Sequence, residues 1–225
     1  MFNQEYRSVI SIPAGDVMLE GWLVIPVGAR SLVIFSHGSG SGRYSPRNNF
    51  VADHLNRRSI ATFLPDLLTS EEDEIYQTRF NINLLTERLI AVTNHLCALP
   101  LTAGLVKGYF GASTGAASAL RAAAILPGVI AAVVSRGGRP DLAIDLAPQV
   151  KAPTLLIVGS LDDQVITLNQ LAYSYLTCKK EVEIILGAGH LFEEPGTLQR
   201  VALLSAGWFS KHLVNHRKKA FTKHK

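Results

Sequence analysis

The sequence predicts an α/β protein: a doubly wound, mostly parallel sheet with an antiparallel hairpin at its N-terminal edge. Three observations lead there. Short apolar runs rich in Val, Ile and Leu alternate with longer helix-compatible segments. Four of those runs end in Gly- and Ser-rich loops. The composition, 48% hydrophobic and 18% charged over 225 residues, is that of one globular unit with much of its sheet inside. Alternation at this spacing implies right-handed parallel crossovers with helices on both faces. The reading gives one domain over residues 1–215.

Taken in order, strands at 8–12 and 17–25 flank Pro13-Ala14-Gly15-Asp16 and predict the hairpin. A strand at 32–36 follows, then a helix at 46–57, where Ser45-Pro46 fits an N-cap with proline in the first helical position. Strands at 61–64, 105–110, 129–135, 154–158 and 182–186 alternate with helices near 83–99, 114–126, 168–176 and 195–214. Thr167-Leu168-Asn169-Gln170 fits a capping box opening the helix near 168. The acidic run Glu71-Glu72-Asp73-Glu74 reads as a solvated helix start rather than a metal site. About 18 residues separate the sixth strand from Thr154, too few for a large lid, so an open cleft is expected.

The chemistry concentrates at strand ends. Gly111-Ala112-Ser113-Thr114-Gly115 follows an apolar strand and opens an Ala-rich helix. This is the G-x-S-x-G pattern in which small flanking residues let a strained turn raise a serine hydroxyl above a helix N-terminus. The run 154–158 ends in Gly159-Ser160-Leu161-Asp162, and 182–186 ends in Gly187-Ala188-Gly189-His190. A carboxylate and an imidazole are thus delivered at two further strand ends. Ser, Asp, His is the chain order of the α/β-hydrolase triad and differs from those of chymotrypsin and subtilisin. Asp163 competes with Asp162 for the acid role.

The first central strand runs into Ser36-His37-Gly38-Ser39-Gly40-Ser41-Gly42, an H-G-x-G loop whose glycines let backbone N–H groups approach a ligand. In an α/β-hydrolase the oxyanion donors would be the N–H of Thr114, which follows the nucleophile, and that of Ser39. As a phosphate loop the stretch lacks the G-x-x-x-x-G-K-[ST] lysine and the G-x-G-x-x-G spacing. His37 is expected to fix loop shape by bonding backbone. Arg43 and Arg136 both follow strands at the end where the triad gathers, and each either holds an anionic substrate group or pairs with a local carboxylate.

The chain resembles the dienelactone hydrolase branch of the α/β-hydrolases. Gly111-Ala112-Ser113-Thr114-Gly115, Gly159-x-x-Asp162-x-x-Val165 and Gly189-His190-Leu191-Phe192-Glu193-Glu194-Pro195 carry the resemblance, which extends from the first hairpin to the last helix. It implies Ser113 as nucleophile, His190 as base and Asp162 as the acid at the family's spacing. The namesake enzymes carry a cysteine nucleophile where this chain has Ser113, so fold and triad geometry carry over while lactone specificity does not. The function expected is a serine hydrolase for an ester, lactone or thioester, with neither metal nor cofactor and a small-molecule substrate. The alternatives are acyl transfer through the same triad and a non-catalytic binding protein of this fold.

Charge adds little. The formal net charge of +4 is owed to 216–225, which holds five Lys/Arg and no acid, leaving −1 once those five are subtracted. Such a tail is expected to be solvated and flexible, with no nucleic-acid or membrane partner. The N-terminus has no signal-peptide pattern and no stretch approaches a membrane span, which suggests a cytoplasmic protein. Cys97 and Cys178 lack C-x-x-C spacing and read as reduced packing thiols.

Overall fold

Gly15, at φ 67°, closes a tight turn that folds β1 (Tyr6–Ala14) back on β2 (Val17–Ile25), in antiparallel register from Tyr6↔Ile25 to Ala14↔Val17. β1 runs beyond the expected end through Pro13, which the sheet edge tolerates. The computed structural model describes residues 4–222, with side chains through Leu213.

The remaining elements follow in chain order: β3 (Ser31–Ser36), α1 (Pro46–Asn56), β4 (Ala61–Pro65), α2 (Ser70–Glu74), α3 (Ile82–Ala98), β5 (Val106–Ala112), α4 (Thr114–Ile125), β6 (Ile130–Arg136), β7 (Thr154–Gly159), α5 (Asp163–Tyr175), β8 (Lys180–Ile185) and α6 (Thr197–Thr222). The sheet has eight strands in the order β1-β2-β4-β3-β5-β6-β7-β8. β2 pairs antiparallel with β4, and every pairing from β4 to β8 is parallel. The parallel strands therefore end on one side, where the loops after β3, β5, β7 and β8 meet.

Both faces are covered. α3 and α4 contribute Leu85, Leu89, Leu96, Ala119 and Leu120 to an apolar layer on one face. α1 and α6 contribute Val51, Leu55, Val201 and Phe209 to the layer on the other. Strands buried on both faces explain why 32–36 and 154–158 read as continuous apolar runs. Between β6 and β7 the chain makes only two short 3₁₀ turns, Pro140–Ala143 and Ala147–Gln149, so no large lid is inserted.

Local signals hold with one exception. Ser45 caps α1, its side chain accepting from the Asn48 N–H with Pro46 in the first turn. The acidic run is α2, with a capping box between Thr69 and Glu72. The box expected at Thr167 is corrected: α5 starts at Asp163, and Thr167 lies inside it, its hydroxyl donating to the Asp163 carbonyl one turn back. Helix forms as soon as the chain leaves the loop that carries Asp162, and the Thr-x-x-Gln pattern falls in its second turn.

α6 continues past the expected end at 214 to Thr222, since residues 215–222 contain neither glycine nor proline to interrupt it. The basic stretch expected as a flexible tail over 216–225 is thus described only as helical backbone to Thr222, and 223–225 lie outside the described residues. Cys97 and Cys178 are free thiols. Among the described residues no helix is long and apolar enough to cross a membrane.

Candidate active site

Ser113 occupies the junction between β5 and α4 with φ 51° and ψ −125°, a backbone region that non-glycine residues seldom adopt. Neighbouring backbone holds it there. The Ser113 N–H donates to the Arg136 carbonyl (3.2 Å), and the Ser113 carbonyl accepts from the Arg139 N–H (3.0 Å) and the Ala116 N–H (3.1 Å). Although Ser113 is the N-cap of α4, its hydroxyl caps no amide and is left for other use. The helix start lies against β3: a Cβ on Gly115 would stand 2.1 Å from the Ser36 carbonyl oxygen and 2.5 Å from that of His37. The second glycine of the motif is required by this contact between backbones.

Asp162 follows β7 and is the N-cap of α5, where a carboxylate ordinarily accepts from the helix's own amides. It makes no such bond. Its Oδ2 lies 2.6 Å from His190 Nδ1 instead. An ionised carboxylate can only accept, so Nδ1 carries the proton and Nε2 is the basic nitrogen of the neutral ring. Asp163 is exposed on the first turn of α5. Of the two neighbours, Asp162 is the one hydrogen-bonded to the imidazole among the described residues.

His190 and Ser113 line one cavity of about 180 Å³ together with Gly38, Ser39, Arg47 and Arg136. Among the described residues no hydrogen bond joins the Ser113 hydroxyl to the imidazole. The loop bearing His190 is held by Glu194, whose Oε1 accepts from the Gly189 N–H at 3.0 Å. Nothing in the sequence pattern points to this role of Glu194.

The glycine-rich loop after β3 is fixed by His37. Leu67 N–H donates to its Nε2 (2.9 Å), so Nδ1 bears the hydrogen and donates to the Gly38 carbonyl (3.0 Å). Both ring nitrogens bond backbone, the structural role expected. Gly38 packs on Ser113 so closely that a Cβ would lie 3.0 Å from Ser113 Cβ. The two residues expected to supply the oxyanion donors are in contact, though not through both amides: the Ser39 N–H donates to Thr114 Oγ1 at 3.1 Å. Ser39 lines the cavity, but its amide already has an acceptor in this arrangement.

Complete burial pushes the His37 imidazole below its ordinary value of 6.5, against smaller opposing effects of the Gly38 bond and nearby acids. The folded state therefore refuses a proton that the unfolded chain takes up below about pH 6.5. The stabilisation is full above that value and falls as pH drops through it, by up to about 1.4 kcal/mol per pH unit. His212 is shifted the same way, by burial and then Lys179 and Lys211, and adds to the slope. Urea unfolding from pH 8 to 5 is expected to show His37→Gln less stable at pH 7 but flatter with pH than wild type. Parallel curves would mean that His37 does not titrate in this window.

The two arginines separate. Arg43 turns to Glu20 (2.6 Å) and Asp66 (2.8 Å) and lines a different cavity, so the substrate-binding expectation for it gives way to the carboxylate-pairing one. Arg136 ends β6 and lines the cavity of Ser113. It is 7% exposed, reaches Asn48 Oδ1 at 3.4 Å and lies 6.0 Å from the Phe192 ring centroid. Burial, with Arg47 nearby, pulls its pKa to about 10, which still leaves it cationic at neutral pH. Arg47 faces the same cavity and pairs with Glu193 at 2.9 Å. Among the described residues no group of three or more His, Cys, Asp or Glu side chains is placed to hold a metal.

No protein-family model matches the chain. Two Mycobacterium tuberculosis proteins, provisionally named phosphoribosyl transferases, are 52% identical over 204 residues, 91% of this chain and 46% of theirs. The chain therefore spans about half the length of those curated relatives. Est1E of Butyrivibrio proteoclasticus shares the fold, with a TM-score of 0.78 at 15% identity over 90% of this chain and 98% of that one. The crystal structure of dienelactone hydrolase from Anabaena variabilis superposes with a TM-score of 0.91 at 52% identity, over 94% of this chain and all of that one. With that identity over the whole length of a solved relative, on the same sheet and hairpin, the chain belongs to the dienelactone hydrolase family of the α/β-hydrolases.

Proposed function

We propose that the protein is a serine hydrolase that cleaves a carboxylic ester, lactone or thioester through an acyl-enzyme. The observation that carries this reading is the 2.6 Å contact of His190 Nδ1 with Asp162 Oδ2, which leaves Nε2 as a base on the cavity that Ser113 lines. Ser113 Oγ attacks the carbonyl carbon while His190 Nε2 takes its proton. Asp162 holds the tautomer and stabilises the imidazolium. The tetrahedral intermediate places its oxyanion at the positive end of α4, by the Thr114 N–H, with Ser39 as the partner donor once its amide turns from Thr114 Oγ1. Collapse returns the proton to the leaving oxygen or sulfur. Water, deprotonated by His190, then attacks the acyl-enzyme, and Ser113 is regenerated with release of the acid.

The transferase name of the mycobacterial proteins belongs to chains of which this one spans 46%. A serine, an imidazole and a carboxylate so arranged suit acyl rather than phosphoribosyl transfer, and that name is not extended to this chain. The open connection after β6 suits a soluble ester better than a deeply enclosed lipid. A fluorophosphonate is expected to add one phosphonyl group per chain, located at Ser113 by peptide mass spectrometry, and to abolish hydrolysis of a 4-nitrophenyl ester. Ser113→Ala is expected to take no label. Failure of wild type to label, together with absent ester turnover, would reduce the site to a non-catalytic binding pocket.

A further inference from the structure

We propose that Asn169 is a positioning residue for the reaction: it grips the peptide between Gly138 and Arg139, which in turn holds Ser113, and so ties Ser113 to the helix whose start carries Asp162. The role deepens the hydrolase reading and rests on it for the proton transfer from Ser113 to His190. Asn169 lies on α5, two turns after Asp162, and is fully buried. Its amide nitrogen donates to two backbone carbonyls, that of Val165 one turn back (2.8 Å) and that of Gly138 (3.0 Å), while Oδ1 has no partner. A buried acceptor left in this state lowers stability, and an apolar side chain of the same size would carry no such group. What the asparagine adds beyond its own helix is the bond to Gly138.

That bond reaches Ser113 through one rigid plane. The Gly138 carbonyl and the Arg139 N–H belong to the same trans peptide unit and point opposite ways. Asn169 holds its oxygen, and its hydrogen is donated to the Ser113 carbonyl at 3.0 Å. Turning the plane at one end turns it at the other. The neighbouring residues place the same turn against both sides of the site. Gly137, moored by its N–H to the Ile157 carbonyl of β7 (2.8 Å), abuts His190: a Cβ there would lie 3.0 Å from the His190 carbonyl oxygen and 3.7 Å from its Nδ1. Gly138 is packed on the start of α4, where a Cβ would stand 2.5 Å from Ala116 Cβ, and on Ser135 Oγ at 2.0 Å. One helix thus carries the carboxylate that bonds His190 and, seven residues on, the amide that orients the backbone of Ser113.

Asn169→Leu, close in size and without a donor, is expected to lower kcat on 4-nitrophenyl butyrate about ten- to hundredfold, the loss typical of a misplaced reacting group, with KM within about threefold of wild type. A fluorophosphonate should still add one group per chain at Ser113, at a rate reduced in the same proportion. The melting temperature should stay within about 4 °C of wild type, because the orphaned Oδ1 leaves together with the lost bonds. In hydrogen exchange read by mass spectrometry, a peptide covering 136–142 should exchange faster than in wild type and one covering 154–158 should not change. Thr93→Val is the contrast: it removes a buried hydroxyl bonded to the Leu89 carbonyl and to Tyr109, and should lower the melting temperature while leaving kcat unchanged. Should Asn169→Leu fail to fold, Asn169→Ser carries the same decision, since a serine hydroxyl serves the carbonyl one turn back and falls short of Gly138.

Wild-type kcat in the Asn169 variant, a lowered kcat with unchanged exchange over 136–142, or an equal loss of kcat in Thr93→Val would overturn the role while Ser113-dependent ester turnover left the hydrolase reading standing. A wild-type protein that neither labels nor turns over ester would overturn that reading, and this role with it.

Discussion

Asp162→Asn is expected to lower kcat on an activated ester by about 10⁴-fold, while Asp163→Asn stays within about threefold of wild type. The carboxylate at 162 can only accept, and so holds the proton on His190 Nδ1. An asparagine amide can present its NH₂ instead, which stabilises the other tautomer: Nε2 then carries the proton and cannot accept one from Ser113. The side chain keeps its size and a hydrogen-bonding partner, so folding is retained and the loss falls on turnover. Asp163 is exposed on the first turn of α5, and its amide analogue removes only a favourable charge at a helix start, an effect of ~0.3–1 kcal/mol on stability. Steady-state rates of the two variants at saturating ester decide the matter. Comparable losses, or the reverse ranking, would overturn the assignment of the acid.

Gly115→Ala is expected to destabilise the protein by about 3 kcal/mol or more and to remove most of the activity that remains folded. The added methyl would meet the carbonyl oxygens of Ser36 and His37 at 2.1 and 2.5 Å, and both are backbone atoms of β3 and the loop after it. A flexible side chain could swing aside, but these atoms move only if α4 or the glycine-rich loop shifts. Either shift separates Ser113 from the loop that faces it. For a chain of this length the melting temperature should fall by about 6–12 °C. Gly207→Ala is the internal contrast: it lies exposed within α6 with nothing within 4 Å of the added atom, and should gain about 0.5–1 kcal/mol from helix propensity. A stable, active Gly115→Ala protein would show that the elbow does not need its close contact with β3.

The strand-end motifs were legible because each joins a strong periodic signal to residues with few structural alternatives. The glycines around Ser113, Asp162 and His190 mark where buried strands stop, and in a parallel sheet all such stops face the same way. Strand order itself was not legible. β3 lies between β4 and β5, although β4 follows it in the chain, and pattern alone does not fix which neighbours pair. Arg43 and Arg136 looked equivalent because sequence shows which residues follow a strand but not which acids the fold brings near. Glu20 and Asp66 reach Arg43 from β2 and from the loop after β4, whereas nothing comparable reaches Arg136.

The same limit hid Glu194, whose bond to Gly189 closes the His190 loop, and Asn48, which meets Arg136 from α1. The capping box at Thr167 failed for a local reason. A Thr-x-x-Gln pattern is also compatible with a helix interior, and here the helix had already begun at the residue after Asp162.

The stitches that hold the elbow bear on when Ser113 takes up its conformation during synthesis. Ser113 is kept in its unusual backbone conformation by bonds to the Arg136 carbonyl and the Arg139 amide, both made by segments that leave the ribosome later. At about 5–20 residues per second that delay is on the order of one to five seconds. Until β6 has docked beside β5, only the local bond from the Ala116 N–H is available against the ~1–3 kcal/mol that such a conformation costs, and the serine is expected to relax into ordinary backbone. The imidazole at position 190 emerges later still. On the hydrolase reading proposed above, a nascent or stalled chain thus displays no assembled site, which arises only when the sheet is nearly complete.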